Sequence, residues 1–355
     1  MGKQLLMTID CEAGMILAKD VFTQKGVVLV PGGSTLTDSI IERIMLANIS
    51  SVWIYDEYPD IDSSIIDLST QNSPAMKEMK KDYTVKIEKM KKIFSDFSEG
   101  NTLDKDAREI AASTINFDKH SGDLLRCMRQ LRSIDDYIFQ HSLNVSSLCF
   151  LIGQWMNLSK TQLEELTLAG LVHDIGKTKI KPAVLNKKAN LTKGDVLEIQ
   201  RHSEYGYQIL KEHTQYSDDI LNAVLMHHEY DDGSGYPSKL KGKDIHQYAK
   251  IISVANLYSS ITMDRISEKT DTPFSVFEIF ESVSAKKFDP LVVYTLMSNI
   301  AMYYIGDKVQ LTNGMQGQII FIDQEFPAKP LIQCQDGTTL DLRIEKKIKI
   351  AGILI

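Results

Sequence analysis

A chain of 355 residues is too long for one ordinary hydrophobic core and fits two or three domains. Its apolar and charged fractions are those of a globular protein and exclude collagen-like and disordered classes. The formal charge of −7 argues against a polymeric nucleic-acid binder, which needs a basic face, but leaves room for a small phosphate ligand in a local pocket.

The N-terminal stretch MGKQLLMTIDCEAG has no apolar region followed by small cleavage residues, so no signal peptide is expected. Leu6 stands where a myristoylation pattern needs Ser or Thr. No apolar run approaches the ~20 residues that span a membrane. Cys11, Cys127, Cys149 and Cys334 are scattered at neither metal nor redox spacing, which predicts free thiols in a reducing compartment. These signs predict a cytoplasmic location.

Residues 1–60 read as a small α/β or β-rich domain. VVLVPGG suggests a strand entering a turn, Thr37 to Ala47 has helical spacing, and SVWIYD suggests a second strand. PGGST lacks the lysine of a phosphate loop and reads as a turn. Residues 61–124 form a helical linker region that opens on a polar stretch. Ser73-Pro74 offers an N-cap and a first-turn proline. Met76, Met79, Tyr83, Ile87, Met90, Phe94 and Phe97 then make an amphipathic stripe. That stripe predicts packing inside the chain, with a homodimer through the helix near 74–98 as the alternative. EGNTLD breaks the helix. Residues 125–305 read as almost entirely helical. Residues 306–355 alternate in hydrophobicity and carry Asn-Gly and Asp-Gly turn pairs, which predicts a small β-barrel-like unit or sheet of four or five strands.

The histidines fall on apolar stripes. His141 sits amid Ile134, Ile138, Val145, Leu148, Ile152 and Trp155. His173 and Asp174 end the apolar segment LTLAGLV. His202 shares a stripe with Val196, Ile199 and Ile209, and Gly206 leaves room for a close neighbour. His227 follows Ile220 and Val224, with His228 beside it. Any one such histidine is commonly a satisfied core residue. Five of them and an aspartate buried without a shared partner would leave polar groups unpaired at ~1–3 kcal/mol each. A metal cluster inside a helical bundle satisfies them together. His120, His213 and His246 lie in polar surroundings and read as surface residues. GLVHDIGKT ends like a Walker A loop, but position 171 is Leu and the preceding segment is helical, so nucleoside triphosphate binding is not expected there.

His141, then HDIGK (His173 to Lys177), then His202, then HHEYDDGSGYP (His227 to Pro237) closely resemble the HD-GYP subgroup of HD-domain phosphohydrolases. The match covers about residues 125–305. A GMxLAxDV-like stretch (Gly14 to Val21) and the C-terminal β unit resemble the flanks of such domains. The resemblance implies a mainly α fold: a helical HD-GYP bundle between a small N-terminal α/β domain and a small C-terminal β-barrel-like unit. It implies a phosphodiesterase that opens cyclic di-GMP, or a related cyclic dinucleotide, to pGpG and/or GMP through a metal-bridging hydroxide. It implies two divalent metal ions, iron or manganese, held by His141, His173, Asp174, His202, His227 and His228, with Asp174 bridging. Lys177 matches the lysine near the catalytic centre, Tyr236 the tyrosine lining the substrate pocket, and Arg265 an arginine facing a substrate phosphate. Imidazole and carboxylate donors suit these metals, and a two-metal site suits in-line phosphoryl chemistry.

The chain departs from that family in three places. In a stretch resembling VADxYDA, Asn256 replaces the aspartate ligand, so it would bind through a neutral amide oxygen. Ile266 and Ser267 depart from the RPYR-like run after Arg265. Tyr137, four before His141, stands where three-metal members carry a carboxylate, so two ions are expected. Asn256 keeps a second reading open: a catalytically weak or inactive module that binds a cyclic dinucleotide or a protein partner.

Overall fold

The structure, a computed structural model, describes residues 3–55 with interruptions, 74–98, 104–115, 124, 125, 127 and 128. It then describes 136–263 apart from 186, 188–190 and 213–215, and 272–354 apart from 283–285. The chain divides into two compact units, Met1–Ser73 and Pro74–Ile355.

In the first unit, β1 (Lys3–Met7) pairs antiparallel with β4 (Ser51–Tyr55), running from Lys3 opposite Tyr55 to Met7 opposite Ser51. A second small pair joins β2 (Val21–Phe22) to β3 (Val28–Val30). β4 alternates as a half-buried strand should: Val52 and Ile54 point inward, and Trp53 faces out beneath the Lys19 ammonium. The helix Asp38–Leu46 adds Ile41 and Ile44 to a core shared with Leu17, Val21, Val30 and Leu36. Strand β1 has no turn residues to announce it; pairing with β4 gives it its conformation.

The second unit is mainly helical. Its first helix, Pro74–Ser98, buries Met79, Tyr83, Ile87, Met90 and Phe94 in the unit's own core. The Tyr83 hydroxyl donates to Asn144 Oδ1 at 2.5 Å. These five residues of the stripe thus pack within the chain, as the intrachain reading expects. Asn144 belongs to the central helix, Tyr137–Trp155, in which every residue from Gln140 to Gly153 is buried. A helix covered on all sides must satisfy its polar side chains internally. Ser146 Oγ accordingly donates to the Thr167 carbonyl, and Ser147 Oγ to that of Leu143. The helix Lys160–Val172 lies close against it at Gly170, where a Cβ would come within 2.9 Å of Cys149 Sγ.

The C-terminal strands form one antiparallel sheet in the order β8-β7-β6-β5-β9. They are β5 (Lys308–Leu311), β6 (Gln316–Phe321), β7 (Leu331–Cys334), β8 (Thr339–Asp341) and β9 (Ile350–Leu354). Asn313-Gly314 turns β5 into β6 and Asp336-Gly337 turns β7 into β8; both glycines have the positive φ such turns need. β8 and β9 are the two edges, so the expected barrel-like closure is not present: the sheet is open. Instead of closing on itself, it shares a core with the helices through Val309, Leu311, Ile319 and Ile332. Lys329 and Lys349 both pair with Glu278 of the helix Pro273–Ser282, which ties sheet to bundle. All four cysteines are buried thiols that form no disulfide. Among the described residues, no helix is long and apolar enough to cross a membrane.

Candidate metal centre

Three helix ends and one helix middle bring the predicted residues together. The helix Lys160–Val172 starts at Ser159, whose side chain caps Gln162 in a reciprocal capping box, and it runs out at His173 and Asp174. A tight 3₁₀ turn, Ile175–Lys179, follows. Gly176 in this turn lies on the His202 backbone: a Cβ there would collide with the His202 carbonyl oxygen and the Gly206 amide. The two glycines therefore let Asp174 and His202 meet.

His202 opens the helix His202–Lys211 directly after Lys193–Gln200 ends at Arg201. The sequence stripe from Val196 to Ile209 suggests one continuous helix, and the structure has two. Val196 is 40% exposed on the first, whereas Ile209 is buried on the second. At the break the Ile199 carbonyl also meets His202 Nδ1. His227 caps the helix Asp218–Met226, and His228 follows.

A shared device orients three of the rings. His173 Nδ1 lies 2.8 Å from the Gly170 carbonyl, His202 Nδ1 2.7 Å from Ile199, and His227 Nδ1 2.7 Å from Val224. Each partner is a carbonyl three residues back, at a helix end where carbonyls lack intrahelical partners. A carbonyl only accepts, so each Nδ1 carries a proton, and in a neutral ring Nε2 then presents a lone pair. Those lone pairs converge. His202 Nε2 and His227 Nε2 are 3.1 Å apart. His173 Nε2 and Asp174 Oδ1 are both buried without a hydrogen-bond partner. A cation between them satisfies acceptors that face acceptors in a buried site.

Asp174 stands between two such groups. Its Oδ1 lies 3.3 Å from His202 Nε2 and 4.0 Å from His227 Nε2. Its Oδ2 lies 3.3 Å from His173 Nε2, 4.0 Å from His141 Nε2 and 2.6 Å from Lys177 Nζ. Asp174, His202, His227 and His228 offer one set of ligand atoms; His141, His173 and Asp174 offer another. The donor chemistry and the orphaned acceptors fit divalent metal binding.

The electrostatics suit metal binding. Burial lowers the tendency of His141, His202, His227 and His228 to protonate, and His141 falls to about 3 with added repulsion from His173. These rings stay neutral, as ligands must be. Burial opposes the Asp174 carboxylate, but His173 and Lys177 outweigh it and hold its pKa well below the usual range.

The loop after His228 turns back on the centre. Tyr236 stacks on His228 with ring centroids 4.7 Å apart, and its N–H donates to the His228 carbonyl. Gly235 permits that approach, because a Cβ there would come within 2.5 Å of Glu229 Cα. Asn256, on the helix Gln247–Met263, places Oδ1 2.9 Å from His141 Nε2. Tyr137 stacks on His141. Arg265, His120 and His213 lie outside the described residues. His246 pairs with Asp219 away from the centre.

Two features escape a reading of stripes. Ser259, one turn beyond Asn256, lies 3.0 Å from His141 Nδ1; the i, i+3 spacing is its only signal. Glu229 is buried and accepts two loop N–H groups; its place after two histidines hides it among presumed ligands.

Residues 126–292 match the HD domain family model. The chain is 31% identical over 212 residues to a cyclic di-GMP phosphodiesterase of Pseudomonas aeruginosa, covering 60% of this chain and 50% of that protein. It is 33% identical over 172 residues to a 3′3′-cGAMP-specific phosphodiesterase of Vibrio cholerae, covering 47% and 39%. The chain thus spans about half or less of these two relatives' length. An HD-GYP-type protein from Bdellovibrio bacteriovorus has a similar fold, with a TM-score of 0.53, 15% identity, and coverage of 83% of this chain and 98% of that one. With the histidine–aspartate constellation in place and the loop that carries Tyr236 folded against it, residues 126–292 carry a domain of the HD family.

Proposed function

We propose that the chain is a metal-dependent phosphodiesterase of cyclic dinucleotides, with cyclic di-GMP as substrate and pGpG and/or GMP as product. The observation that carries this reading is the position of Asp174, each of whose oxygens faces its own set of imidazole nitrogens. His202, His227 and His228 would hold one ion on Oδ1. His141, His173 and Asn256 would hold the other on Oδ2. Iron or manganese suits this nitrogen and oxygen donor set. Such ions supply Lewis acidity, making water nucleophilic near neutral pH and offsetting charge on the phosphoryl oxygens.

The chain's own residues do the rest. The Nδ1 hydrogen bonds keep the rings of His173, His202 and His227 in one tautomer and orientation. Lys177 Nζ, on Asp174 Oδ2, can donate to a phosphoryl oxygen or to the leaving 3′-oxygen. Tyr236 presents a half-buried ring beside His228, a surface for a nucleobase or ribose. Arg265 is assigned to a substrate phosphate. The names of the relatives support the cyclic dinucleotide class. In the same reading the catalytic domain is 125–305, flanked by segments 1–60, 61–124 and 306–355, in a cytoplasmic protein.

A second reading has its own observation. Asn256 brings no charge and engages His141 Nε2, which favours a binding module with weak turnover. One experiment separates them. Protein purified anaerobically is loaded with Fe(II) or Mn(II) and incubated with cyclic di-GMP, with the His173→Ala/Asp174→Ala double variant as control. Metal-dependent pGpG or GMP, absent in the control, supports the enzyme. Intact substrate with metal bound sinks it and leaves the binding module.

A further inference from the structure

We infer that the two halves of the centre bind metal unequally, the Asp174 Oδ1 side first and the His141 side second and more weakly. The inference rests on the reading of the cluster as a metal centre.

On the Oδ1 side His202, His227 and Asp174 are set for a cation. His202 and His227 have Nδ1 tied to backbone carbonyls, so their Nε2 lone pairs point at each other at 3.1 Å. Asp174 Oδ1 has no hydrogen-bond partner although it is buried. No protein hydrogen bond to these acceptors must be displaced, no proton must move, and a cation relieves the repulsion among them.

On the Oδ2 side two groups are already engaged. Lys177 Nζ holds Oδ2 at 2.6 Å, so an ion arriving there meets a like charge and competes for the same oxygen. His141 is also held differently from its neighbours. Its Nε2 faces the Asn256 amide oxygen at 2.9 Å, and an amide oxygen only accepts. The proton therefore sits on Nε2, and Nδ1 accepts from the Ser259 hydroxyl at 3.0 Å. In this tautomer His141 offers no lone pair to a metal.

Ser259 is the partner that lets the tautomer change. A hydroxyl can donate to Nδ1, as here, or turn and accept from Nδ1–H, which frees Nε2 for a ligand bond. The backbone carbonyls that hold the other three rings cannot do this. Filling the second site thus requires the Nε2 proton to give way, the Ser259 hydroxyl to turn, and the Asn256 amide oxygen to exchange a hydrogen bond for a metal. A carboxylate at position 256 would add a negative charge beside the incoming ion and offset Lys177.

The test is a titration of metal-free protein with Mn(II), followed by calorimetry and by the electron paramagnetic resonance signal of free Mn(II). Wild type is expected to show two steps whose affinities differ at least tenfold. Asn256→Asp should tighten the weaker step at least tenfold and leave the tighter one unchanged. Ser259→Ala removes the acceptor for Nδ1–H and should weaken the second step by about tenfold or more, the usual effect of losing a ligand's outer partner, with the first step intact. That intact first step shows that each variant is folded. Two equal steps in wild type, or an Asn256→Asp variant that changes only the tight step, overturns the inference and leaves the metal reading standing. No Mn(II) binding at all overturns both.

Discussion

The buried carboxylate of Glu229 accepts the backbone N–H of Ser238 at 2.6 Å, and with its other oxygen that of Leu240 at 3.0 Å. One side chain thereby closes the loop that carries Tyr236 and leads it back over His228. Glu229 sits beside two histidines of the centre yet is spent on the loop, so it acts by positioning. Glu229→Gln keeps the shape but turns an amide donor toward an N–H donor. The expected cost is ~1–3 kcal/mol, the penalty for a buried unsatisfied polar group. Thermal or urea unfolding reads the loss, and Mn(II) binding should persist, because the metal-facing atoms are untouched. An unchanged stability would show that water serves the two N–H groups as well as Glu229 does.

Gly176 makes a different demand. A methyl group there meets the His202 carbonyl and the Gly206 amide, both backbone, so no side chain can swing aside. Gly176→Ala must push the Ile175–Lys179 turn off the His202 helix. The expected overpacking cost is ~1–3 kcal/mol, together with loss of Mn(II) retained after gel filtration, since Asp174 and His202 separate. A variant that keeps its metal would mean that the two segments can slide without parting the ligands.

These two residues mark where the sequence is legible and where it is not. HDIGK and HHEYDDGSGYP announce the centre because metal ligation demands particular residue types at particular places. The stripes announce the helices because the 3.6-residue period survives in Met79, Tyr83, Ile87 and Met90. The break at Arg201 is hidden, because Val196 and His202 keep a helical spacing across it. The open sheet is hidden too. β-Alternation in Val309, Leu311, Ile319 and Ile332 says that one face is buried, but not whether helices or other strands cover it. The His141 tautomer is set by Asn256 and Ser259, more than a hundred positions away, and no local pattern encodes it.

The buried imidazoles make a pH prediction. Burial, with repulsion from His173, lowers the His141 pKa to about 3 in the folded chain, against about 6.5 when unfolded. Between these values the unfolded state binds more protons, so stability rises with pH. The contribution is fully present above about pH 6.5 and is lost as pH falls toward 3. His202, His227 and His228 shift in the same direction. Each group contributes up to ~1.4 kcal/mol per pH unit within its window. Urea unfolding of the metal-free protein at pH 7, 6 and 5 should therefore give steadily lower stability, steeper than one histidine alone allows. A flat profile would mean that water or rearrangement admits the protonated rings.

Asp174 gives the sharpest separation of function from stability. In metal-free protein its carboxylate is buried, with Oδ1 facing the lone pairs of His202 and His227 and Oδ2 facing Lys177. Asn has one accepting oxygen and one donating nitrogen. The oxygen can keep the hydrogen bond from Lys177, while the nitrogen turns to His202 Nε2 and supplies the donor that the acceptors lack. Asp174→Asn gives up the ion pair with Lys177 but supplies a donor to the facing acceptors, so the loss of metal-free stability should stay below the ~3 kcal/mol of a broken buried pair. Metal binding should fall at least 100-fold, because the shared anion is gone. Denaturation in the presence of a chelator and metal analysis after dialysis give the two readings. If metal-free stability instead drops by more than ~3 kcal/mol, the range for breaking a buried ion pair, the carboxylate is holding the fold together as well as serving the metal.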